Sequence, residues 1–220
     1  MKILMHDYAG HPAPAELSRV LAARGHEVIH TFFAEDSGPK GRMFRLPEDP
    51  LGLSFEAISI KGGYSKTNFI KRRTGDLAYG KALGKFILKT KPDIVFSGNT
   101  PTEAQEYLLK ACRNVNSAFV YWCQDFYSIA VGRILEKKLP VLGAIVAAWY
   151  RRLDRKQMQT SDHVLLITEM FRSQANAWSV DDNRITIVPN WGALDELPVR
   201  PRDNAWSMSQ GLTERRRCLY

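Results

Sequence analysis

The chain has 220 residues and a mass of 25.0 kDa, and 45% of its residues are hydrophobic, which is enough to form a sizeable core. Its formal net charge of +8 favours nucleic acid, an anionic membrane surface or a phosphorylated ligand as partner, without choosing among them. Its cysteines, Cys112, Cys123 and Cys218, form no CxxC pattern, so neither a disulfide framework nor a metal site is indicated. We therefore expect a cytoplasmic protein that carries no metal ion or other cofactor. Residues 1–7 do not resemble a signal peptide, and no apolar run reaches the roughly 18 residues of a transmembrane helix.

The first sixty residues predict a βαβ unit. Residues 2–5 form a short apolar run that is typical of a buried strand. Leu17, Val20 and Leu21 have the i, i+3, i+4 spacing of one helix face. Gly25 is a favourable residue for ending that helix. Further predictions in this part of the chain are a strand over residues 26–33, a long loop over 34–50 and a strand over 54–60.

The remainder of the chain continues to alternate between helices and strands. Helices are predicted over residues 77–90, 103–113, 128–138 and 170–178, with Thr102 and Thr168 as N-caps. Strands are predicted over residues 94–97, 118–122, 163–167 and 185–188. This alternation with short βα loops predicts an α/β fold with a doubly wound, mainly parallel sheet of about six or seven strands.

Asp125 follows the strand predicted over residues 118–122, which is rich in aromatic and β-branched residues. In an open parallel sheet, the carboxyl ends of the strands form the crevice in which ligands bind. A carboxylate just beyond such a strand is therefore the best single candidate for a catalytic residue. The structural alternative is that Asp125 caps a helix or forms an ion pair within its loop.

Seven short motifs follow one another along residues 1–195: the opening strand and loop over residues 2–12, Arg24-Gly25-His26-Glu27-Val28, Lys91-Pro92-Asp93-Ile94-Val95, Ser97-Gly98, Trp122-Cys123-Gln124-Asp125, Thr168-Glu169 and Ile187-Val188-Pro189-Asn190-Trp191. In this order they resemble the N-terminal half of GT-B glycosyltransferases, specifically the group called family 4. The likeness is greatest to members that act in polysaccharide or O-antigen synthesis. The resemblance implies the Rossmann-like half of a two-domain enzyme that binds mainly the acceptor, while the other half binds the nucleotide-sugar.

On this resemblance, residues 1–195 are the acceptor-binding domain, and residues 196–220 are a linker and the start of a donor domain that the chain lacks. The expected function is transfer of a sugar from a nucleotide-sugar to a lipid-linked saccharide once a donor half is present. One alternative is a non-catalytic membrane-docking subunit that recruits a partner chain carrying the donor site. An unrelated nucleotide-binding α/β protein would need a phosphate loop, which is not evident, and no pattern typical of nucleic-acid binding is present.

The resemblance and the predicted sheet also suggest which residues line the active-site cleft. Asp125 could act as a base towards an acceptor hydroxyl, or it could stabilise positive charge on the sugar. Gly10 would let backbone N–H groups approach a ligand at the positive end of the following helix. The other expected substrate-binding residues are Asp7, His11, Gly98, Asn99, Thr100, Gln124, Tyr127 and Glu169. The structural alternatives are an ordinary turn after the first strand and helix capping by Thr100 and Thr168.

A second feature is the apolar stretch over residues 139–150, which basic residues follow directly. Twelve residues are too few to span a bilayer but suit a segment that lies in the membrane interface. We expect Trp149, Tyr150, Arg151 and Arg152 to contact an anionic membrane surface, with attraction added by the basic stretch over residues 61–74. This would place the protein peripherally at the inner face of the cytoplasmic membrane. The structural alternative is a buried core helix with a solvated basic end.

Overall fold

The computed structural model describes residues 1–65, 67–138, 140–193 and 199–212 of the chain. These residues contain a seven-stranded sheet in which all neighbouring strands are parallel. The strands are β1 Lys2–Asp7, β2 Glu27–Phe33, β3 Leu53–Ile58, β4 Ile94–Gly98, β5 Ala118–Cys123, β6 His163–Leu166 and β7 Ile185–Ile187. The boundary predicted at residue 195 lies outside the described residues, as do residues 196–198 and 213–220 of the predicted linker and donor-domain start.

Helices connect the strands, as the alternating pattern predicts. They are α1 Pro12–Ala23, α2 Phe69–Thr90, α3 Thr102–Val115, α4 Tyr127–Lys138, α5 Pro140–Thr160, α6 Arg172–Ala177 and α7 Ala205–Ser209. Short 3₁₀ turns cover Glu169–Phe171 and Asp182–Arg184. Gly25 follows α1 with a φ of 87°, so the sequence places the end of this helix correctly.

The strands lie in the order β3-β2-β1-β4-β5-β6-β7, so the side on which successive strands are added changes after β3. The chain first adds strands on one side of β1 and then, from β4 onwards, on the other side. In such sheets the loops after the two strands at the reversal diverge and leave a crevice between them. Here that crevice lies where Asp7 at the end of β1 is in register with Gly98 at the end of β4. The predicted doubly wound sheet is thus confirmed, and its topology locates the site.

Two hydrophobic clusters cover opposite faces of the sheet. Because strand side chains alternate between faces, Ile3 and Met5 of β1 join one cluster together with Ala22 of α1. Leu4 joins the other, which contains Tyr79 of α2. All of these side chains are at least 96% buried, and burial of each large one stabilises the fold by about 1.5–3 kcal/mol. The central strand is therefore apolar on both faces, which explains its continuous hydrophobic run.

The start of α2 differs from the sequence prediction by eight residues. The helix begins at Phe69 rather than at residue 77, because Asn68 supplies an N-cap whose side chain accepts a hydrogen bond of 2.9 Å from the Lys71 backbone N–H. The basic residues that follow Asn68 concealed the helical pattern, since they carry no apolar periodicity. These additional turns bring Arg72 and Arg73 to the carboxyl edge of the sheet.

Thr102 is not an N-cap, so that prediction is wrong. Pro101 occupies the cap position of α3, and the Thr102 hydroxyl instead donates to the buried Asp154 carboxylate of α5 at 2.8 Å. The other oxygen of Asp154 accepts a hydrogen bond of 2.9 Å from the Ser128 backbone N–H of α4. One buried carboxylate thus connects three helices, α3, α4 and α5. The predicted apolar stretch is the first half of α5, which continues through the basic residues to Thr160.

Gly80→Ala should destabilise the fold, because α2 and α3 pack closely at this position. An added Cβ would lie 2.7 Å from the Ala104 Cα and 2.9 Å from the Ala104 carbonyl oxygen. Overpacking costs about 1–3 kcal/mol, which outweighs the gain of about 1 kcal/mol that alanine offers in a helix. We expect urea denaturation to show a loss of about 1–2 kcal/mol in the free energy of unfolding.

Gly84→Ala is the matched control for this prediction, one turn further along α2. Its Cβ would lie 3.3 Å from the Tyr107 carbonyl oxygen, which a small adjustment relieves. We expect this variant to be close to neutral. Equal stability of the two variants would contradict the packing described for Gly80.

Candidate functional site

A cleft runs along the carboxyl edge of the sheet and consists of two adjoining cavities. The first, here called the tryptophan cavity, has a volume of 430 Å³ and lies between the start of α1 and the segment after β7. The second, the arginine cavity, has a volume of 240 Å³ and lies between the loop after β5 and the start of α2. Both are lined by Asn99, Trp122 and Gln124, so they form one continuous cleft.

Asp7 organises the floor of the cleft. Its carboxylate is completely buried and accepts a hydrogen bond of 2.5 Å from the His11 backbone N–H. The Nδ1 atom of His11 lies 3.1 Å from the Asp7 Oδ2 atom, and the side-chain amide of Asn99 donates to the Oδ1 atom at 2.6 Å. The carboxylate therefore joins the loop after β1 to the loop after β4, across the reversal of strand order.

These contacts set the ionisation of both partners. The hydrogen bond to Asp7 raises the pKa of His11 above its ordinary value, and this effect outweighs the partial burial of the imidazole. Burial alone would raise the pKa of the Asp7 carboxyl, but the hydrogen bonds from His11 and Asn99 hold it below its usual range. Asp7 is thus a carboxylate, and His11 has an increased tendency to carry a proton into the cleft.

Gly10 does not offer its backbone to a ligand in the way expected from the sequence. Its N–H donates to the Asp7 carbonyl oxygen at 3.1 Å, and its φ of 75° serves a tight turn beneath the Lys40 side chain. The helix after this loop begins with Pro12 and Pro14, which have no N–H groups. The positive end of α1 therefore lacks two of its first backbone donors, and binding of a ligand at this helix stays a prediction.

Aromatic rings form one wall of the tryptophan cavity. Trp122 and Trp191 are stacked with ring centroids 5.9 Å apart and an interplanar angle of 20°. The Trp191 indole N–H donates to Glu16 at 2.6 Å, which fixes that ring. The indole N–H of Trp122 is buried and has no hydrogen-bond partner among the described residues. The amides of Gln124 and Asn190 add polar groups to this largely apolar space.

Asp125 lies at the mouth of the arginine cavity, after the end of β5. Its side chain is exposed and makes no hydrogen bond within the described part of the chain. Partial burial raises the pKa of its carboxyl above the ordinary value. Gln124 and Tyr127 line the same cavity, so the structure brings these three predicted residues together. Their functional roles stay predictions.

The loop after β4 is shaped by its own hydrogen bonds. Asn99 adopts a left-handed conformation with a φ of 52°, which turns its side chain towards Asp7. The Thr100 hydroxyl lies 2.8 Å from that of Ser97 and donates to the Gly98 carbonyl oxygen at 3.1 Å, so Thr100 stabilises this turn rather than a helix end. Thr100 also lines the arginine cavity, whereas Gly98 contributes backbone below the cleft.

Glu169 lies apart from the cleft. It is exposed in the 3₁₀ turn after β6 and forms an ion pair with Arg172, which also contacts Asp182 at 3.0 Å. It does not line either cavity described above. Thr168 accepts a hydrogen bond from the Met170 backbone N–H and so caps this 3₁₀ turn, whereas the predicted helix begins only at Arg172, with Phe171 at its cap position.

Sequence reasoning missed a group of residues that α2 brings to the cleft. The Tyr8 hydroxyl donates to Asp76 at 2.8 Å, and Arg72 lies 3.9 Å from the other oxygen of that carboxylate. Burial raises the pKa of Asp76 to about 6, although the Tyr8 hydrogen bond and the Arg72 charge oppose this rise. The i, i+4 spacing of Arg72 and Asp76 was the available signal, but it required the correct start of α2.

The predicted membrane-contact residues occupy different faces of α5. Trp149 is 45% exposed, and Arg152 is exposed beside it. Arg151 is partly buried. Tyr150 is only 6% exposed, and its hydroxyl donates to Glu103 at 3.2 Å, so the expectation that it contacts a membrane is wrong. Along the described helices, no segment is long and apolar enough to cross a bilayer. Among the same residues, no group of His, Cys, Asp and Glu is arranged to hold a metal ion.

Comparison with known proteins identifies the class of this fold and site. The sequence profile of the family described as "Glycosyl transferase 4-like domain" matches residues 10–191, and the chain belongs to that family. None of the curated proteins matches the chain in a direct sequence comparison.

Solved structures of two cyanobacterial proteins share the fold. Anabaena Alr3699/HepE in complex with UDP-glucose is 14% identical with a TM-score of 0.53, and the match covers 97% of this chain and 50% of that one. Its complex with UDP is 16% identical with a TM-score of 0.50, covering 96% and 50%. Sucrose-phosphate synthase from Thermosynechococcus elongatus is 11% identical with a TM-score of 0.58, covering 97% and 98%. At these identities the likeness shows the fold, and the chain spans half the length of Alr3699/HepE. The fold is the Rossmann-like half of a GT-B glycosyltransferase.

Titration of His11 by NMR tests the buried ion pair. We expect its pKa to lie above the ordinary value of 6.5 and to fall in the Asp7→Asn variant, which removes the charge that favours the protonated imidazole. Asp203→Asn changes an exposed carboxylate outside the cleft and should leave the His11 titration unchanged. An unaltered His11 pKa in Asp7→Asn would show that the pair does not form in solution.

The same shifts give the pH dependence of stability. The pKa of His11 is raised in the folded state. Its contribution to the free energy of unfolding is therefore complete below pH 6.5 and is lost as the pH rises through the folded pKa. The pKa of Asp7 is lowered in the folded state. Its contribution to the free energy of unfolding is therefore present above pH 3.8 and is lost as the pH falls through the folded pKa. The pair therefore stabilises the loops most in the interval between these limits.

Proposed function

We propose that this chain is the acceptor-binding half of a glycosyltransferase that transfers a sugar from a nucleotide-sugar to a lipid-linked saccharide. The observation that carries the proposal is the continuous cleft at the reversal of strand order, with Asp125 open at its mouth. Membership of the glycosyl transferase family supports transfer chemistry. The order of the motifs supports a place in cell-surface polysaccharide synthesis.

The chemistry of the cleft suits a neutral sugar next to a reacting hydroxyl. The ring of Trp191, which is partly exposed in the cavity and stacks on the buried Trp122, would pack against the apolar face of a sugar ring, while the amides of Asn99 and Gln124 would bind hydroxyl groups. Asp125 would accept the proton of the acceptor hydroxyl as the hydroxyl oxygen bonds to the sugar and the bond between the sugar and the nucleoside diphosphate breaks, with the diphosphate as the leaving group. Its raised pKa favours this role, because a base of higher pKa takes a proton more readily.

The donor site is assigned to a second half that this chain would need for turnover. Alr3699/HepE, solved with UDP and with UDP-glucose, is twice as long as the region that matches this chain. We accordingly place the acceptor domain in residues 1–195 and a linker with the start of a donor domain in residues 196–220. The donor half could be supplied by the same polypeptide or by a partner chain.

An exposed face of α5 supports peripheral attachment to the inner face of the cytoplasmic membrane. Val141, Leu142, Ile145 and Trp149 are 75%, 65%, 63% and 45% exposed, and their spacing places them on one side of the helix. This set is here called the aliphatic face of α5. Arg152 continues the same side and is exposed. An apolar stripe bordered by arginine suits the headgroup region of an anionic bilayer, where the side chains would gain contacts that water does not provide.

A second candidate function rests on the same aliphatic face. The chain would then be a non-catalytic subunit that docks on the membrane and recruits a partner carrying the donor site. This candidate predicts membrane binding but no dependence of transfer on Asp125. The two experiments below therefore separate the candidates.

Asp125→Asn should lower sugar transfer by about 100-fold or more, because it removes the proposed base. The assay follows transfer from UDP-sugars to lipid-linked acceptors by the chain together with its donor half. Asp181→Asn is the control. It changes an exposed carboxylate in the connection between β6 and β7 and should retain normal turnover. Retention of more than about a tenth of the activity by Asp125→Asn would contradict the proposed role.

Ile145→Glu should weaken binding to vesicles that contain anionic lipid. A carboxylate at the centre of the aliphatic face would be both desolvated and repelled by the lipid headgroups, so we expect about tenfold less protein in the floating fraction. Leu51→Glu is the control, since Leu51 is 88% exposed and lies outside α5. Equal losses in both variants, or no flotation of the unmodified chain at low salt, would refute membrane docking through α5.

A further inference from the structure

Arg72 has donors that the protein does not use. Its side chain is half-buried at the junction of the arginine cavity and a smaller recess of 40 Å³ that leads towards α5. The Nε atom is buried and has no hydrogen-bond partner among the described residues. Its ionic contact with the Asp76 Oδ2 atom is 3.9 Å, which exceeds hydrogen-bond distance. A guanidinium donor buried in this way is costly to leave without an acceptor.

The charged neighbours of Arg72 are already occupied. Arg73 donates to the Glu103 carboxylate from both its Nε and its terminal nitrogen at 2.9 Å. The second oxygen of Glu103 accepts the Tyr150 hydroxyl, and Asp76 accepts the Tyr8 hydroxyl. Within the recess, the described residues therefore leave Arg72 as the cation with free hydrogen-bonding capacity. This arrangement suits an anion that enters from the cleft.

The position of Arg72 connects the cleft to the aliphatic face. Arg72 shares the arginine cavity with Asp125 and shares the recess with Tyr127 and Tyr150. The rings of Tyr127 and Tyr150 are 6.1 Å apart, and the Trp149 ring lies 4.7 Å from that of Tyr150. A continuous path of side chains thus runs from the proposed base, past one guanidinium, to the exposed edge of α5.

We infer that Arg72 binds the diphosphate of an isoprenoid-linked acceptor, so that the sugar lies in the cleft and the hydrocarbon chain lies along the aliphatic face of α5. The guanidinium matches phosphate oxygens with paired, charge-assisted hydrogen bonds. This inference rests on the proposed function, since it specifies how the acceptor would be held. A nucleotide diphosphate offers the same chemistry, so the experiment must distinguish the two sources.

Calorimetric titration of the chain with geranyl diphosphate, inorganic pyrophosphate and UDP makes this distinction. We expect geranyl diphosphate to bind more tightly than pyrophosphate, because its hydrocarbon chain adds apolar contact, and UDP to bind weakest. Arg72→Gln should weaken geranyl diphosphate binding by about tenfold or more. Arg72→Lys should restore part of the affinity, since it keeps the charge but loses the planar pair of donors.

Lys71→Gln is the matched control. Lys71 is an exposed neighbour on the same helix turn, it lines neither cavity nor the recess, and its loss changes the net charge equally. We expect the affinity of this variant for geranyl diphosphate to change by less than about twofold, because solvent and salt screen an exposed charge. Circular dichroism of Arg72→Gln should match that of the unmodified chain, because Arg72 makes no side-chain hydrogen bond among the described residues.

Three results would overturn the inference. The first is an equal loss of affinity for geranyl diphosphate in Arg72→Gln and Lys71→Gln. The second is that Arg72→Gln weakens the binding of UDP but not that of geranyl diphosphate. The third is that the unmodified chain does not bind geranyl diphosphate. Because the titration requires no transfer reaction, its outcome is independent of the Asp125 assay. Binding through Arg72 without any sugar transfer would count against the proposed function and leave the diphosphate site intact.

Discussion

The buried charge of Asp7 is the constraint on which the cleft depends. An ionised carboxylate away from water is costly unless its oxygens are hydrogen-bonded and its charge is compensated. Here the backbone and ring of His11 and the amide of Asn99 meet that need, and they come from the loops after two different strands. Satisfying one carboxylate therefore fixes both loops relative to each other. The shared wall of the two cavities, which includes Asn99, is positioned as a result.

Much of the fold was predictable from local pattern. Buried parallel strands are apolar on both faces and appear as short hydrophobic runs, so all seven strands were found within two residues at each end. The ends of helices were less predictable, because they depend on single capping residues. Asn68 extends α2 by two turns, and Thr102 resembles a cap in sequence but donates to Asp154 in the fold. Nothing within the local sequence shows that preference, since Asp154 is 52 residues away.

The candidate site was predictable where it depends on sheet topology alone. Asp7 ends a parallel strand, Asn99, Gln124 and Asp125 come just after one, and parallel strands end at a common edge. The same rule selected Glu169, which an adjacent arginine instead holds outside the cleft. Arg72 could not be found in this way, because it reaches the cleft from the first turns of α2, which the sequence pattern does not reveal. Tyr150 shows a similar limit: its apolar surroundings in sequence do not reveal which side of α5 faces inwards.

The two prolines at the start of α1 have a consequence for how the specificity of this domain can change during evolution. A phosphate cradle built from backbone N–H groups survives most substitutions, because every residue except proline supplies the same donor. Pro12 and Pro14 remove two of these donors, and in the site that we infer an anion is bound instead by the Arg72 side chain of α2. A site of this kind can be gained, lost or reversed in charge by one codon change without disturbing the sheet. Related domains can therefore diverge in the acceptors that they select while keeping an almost unchanged scaffold.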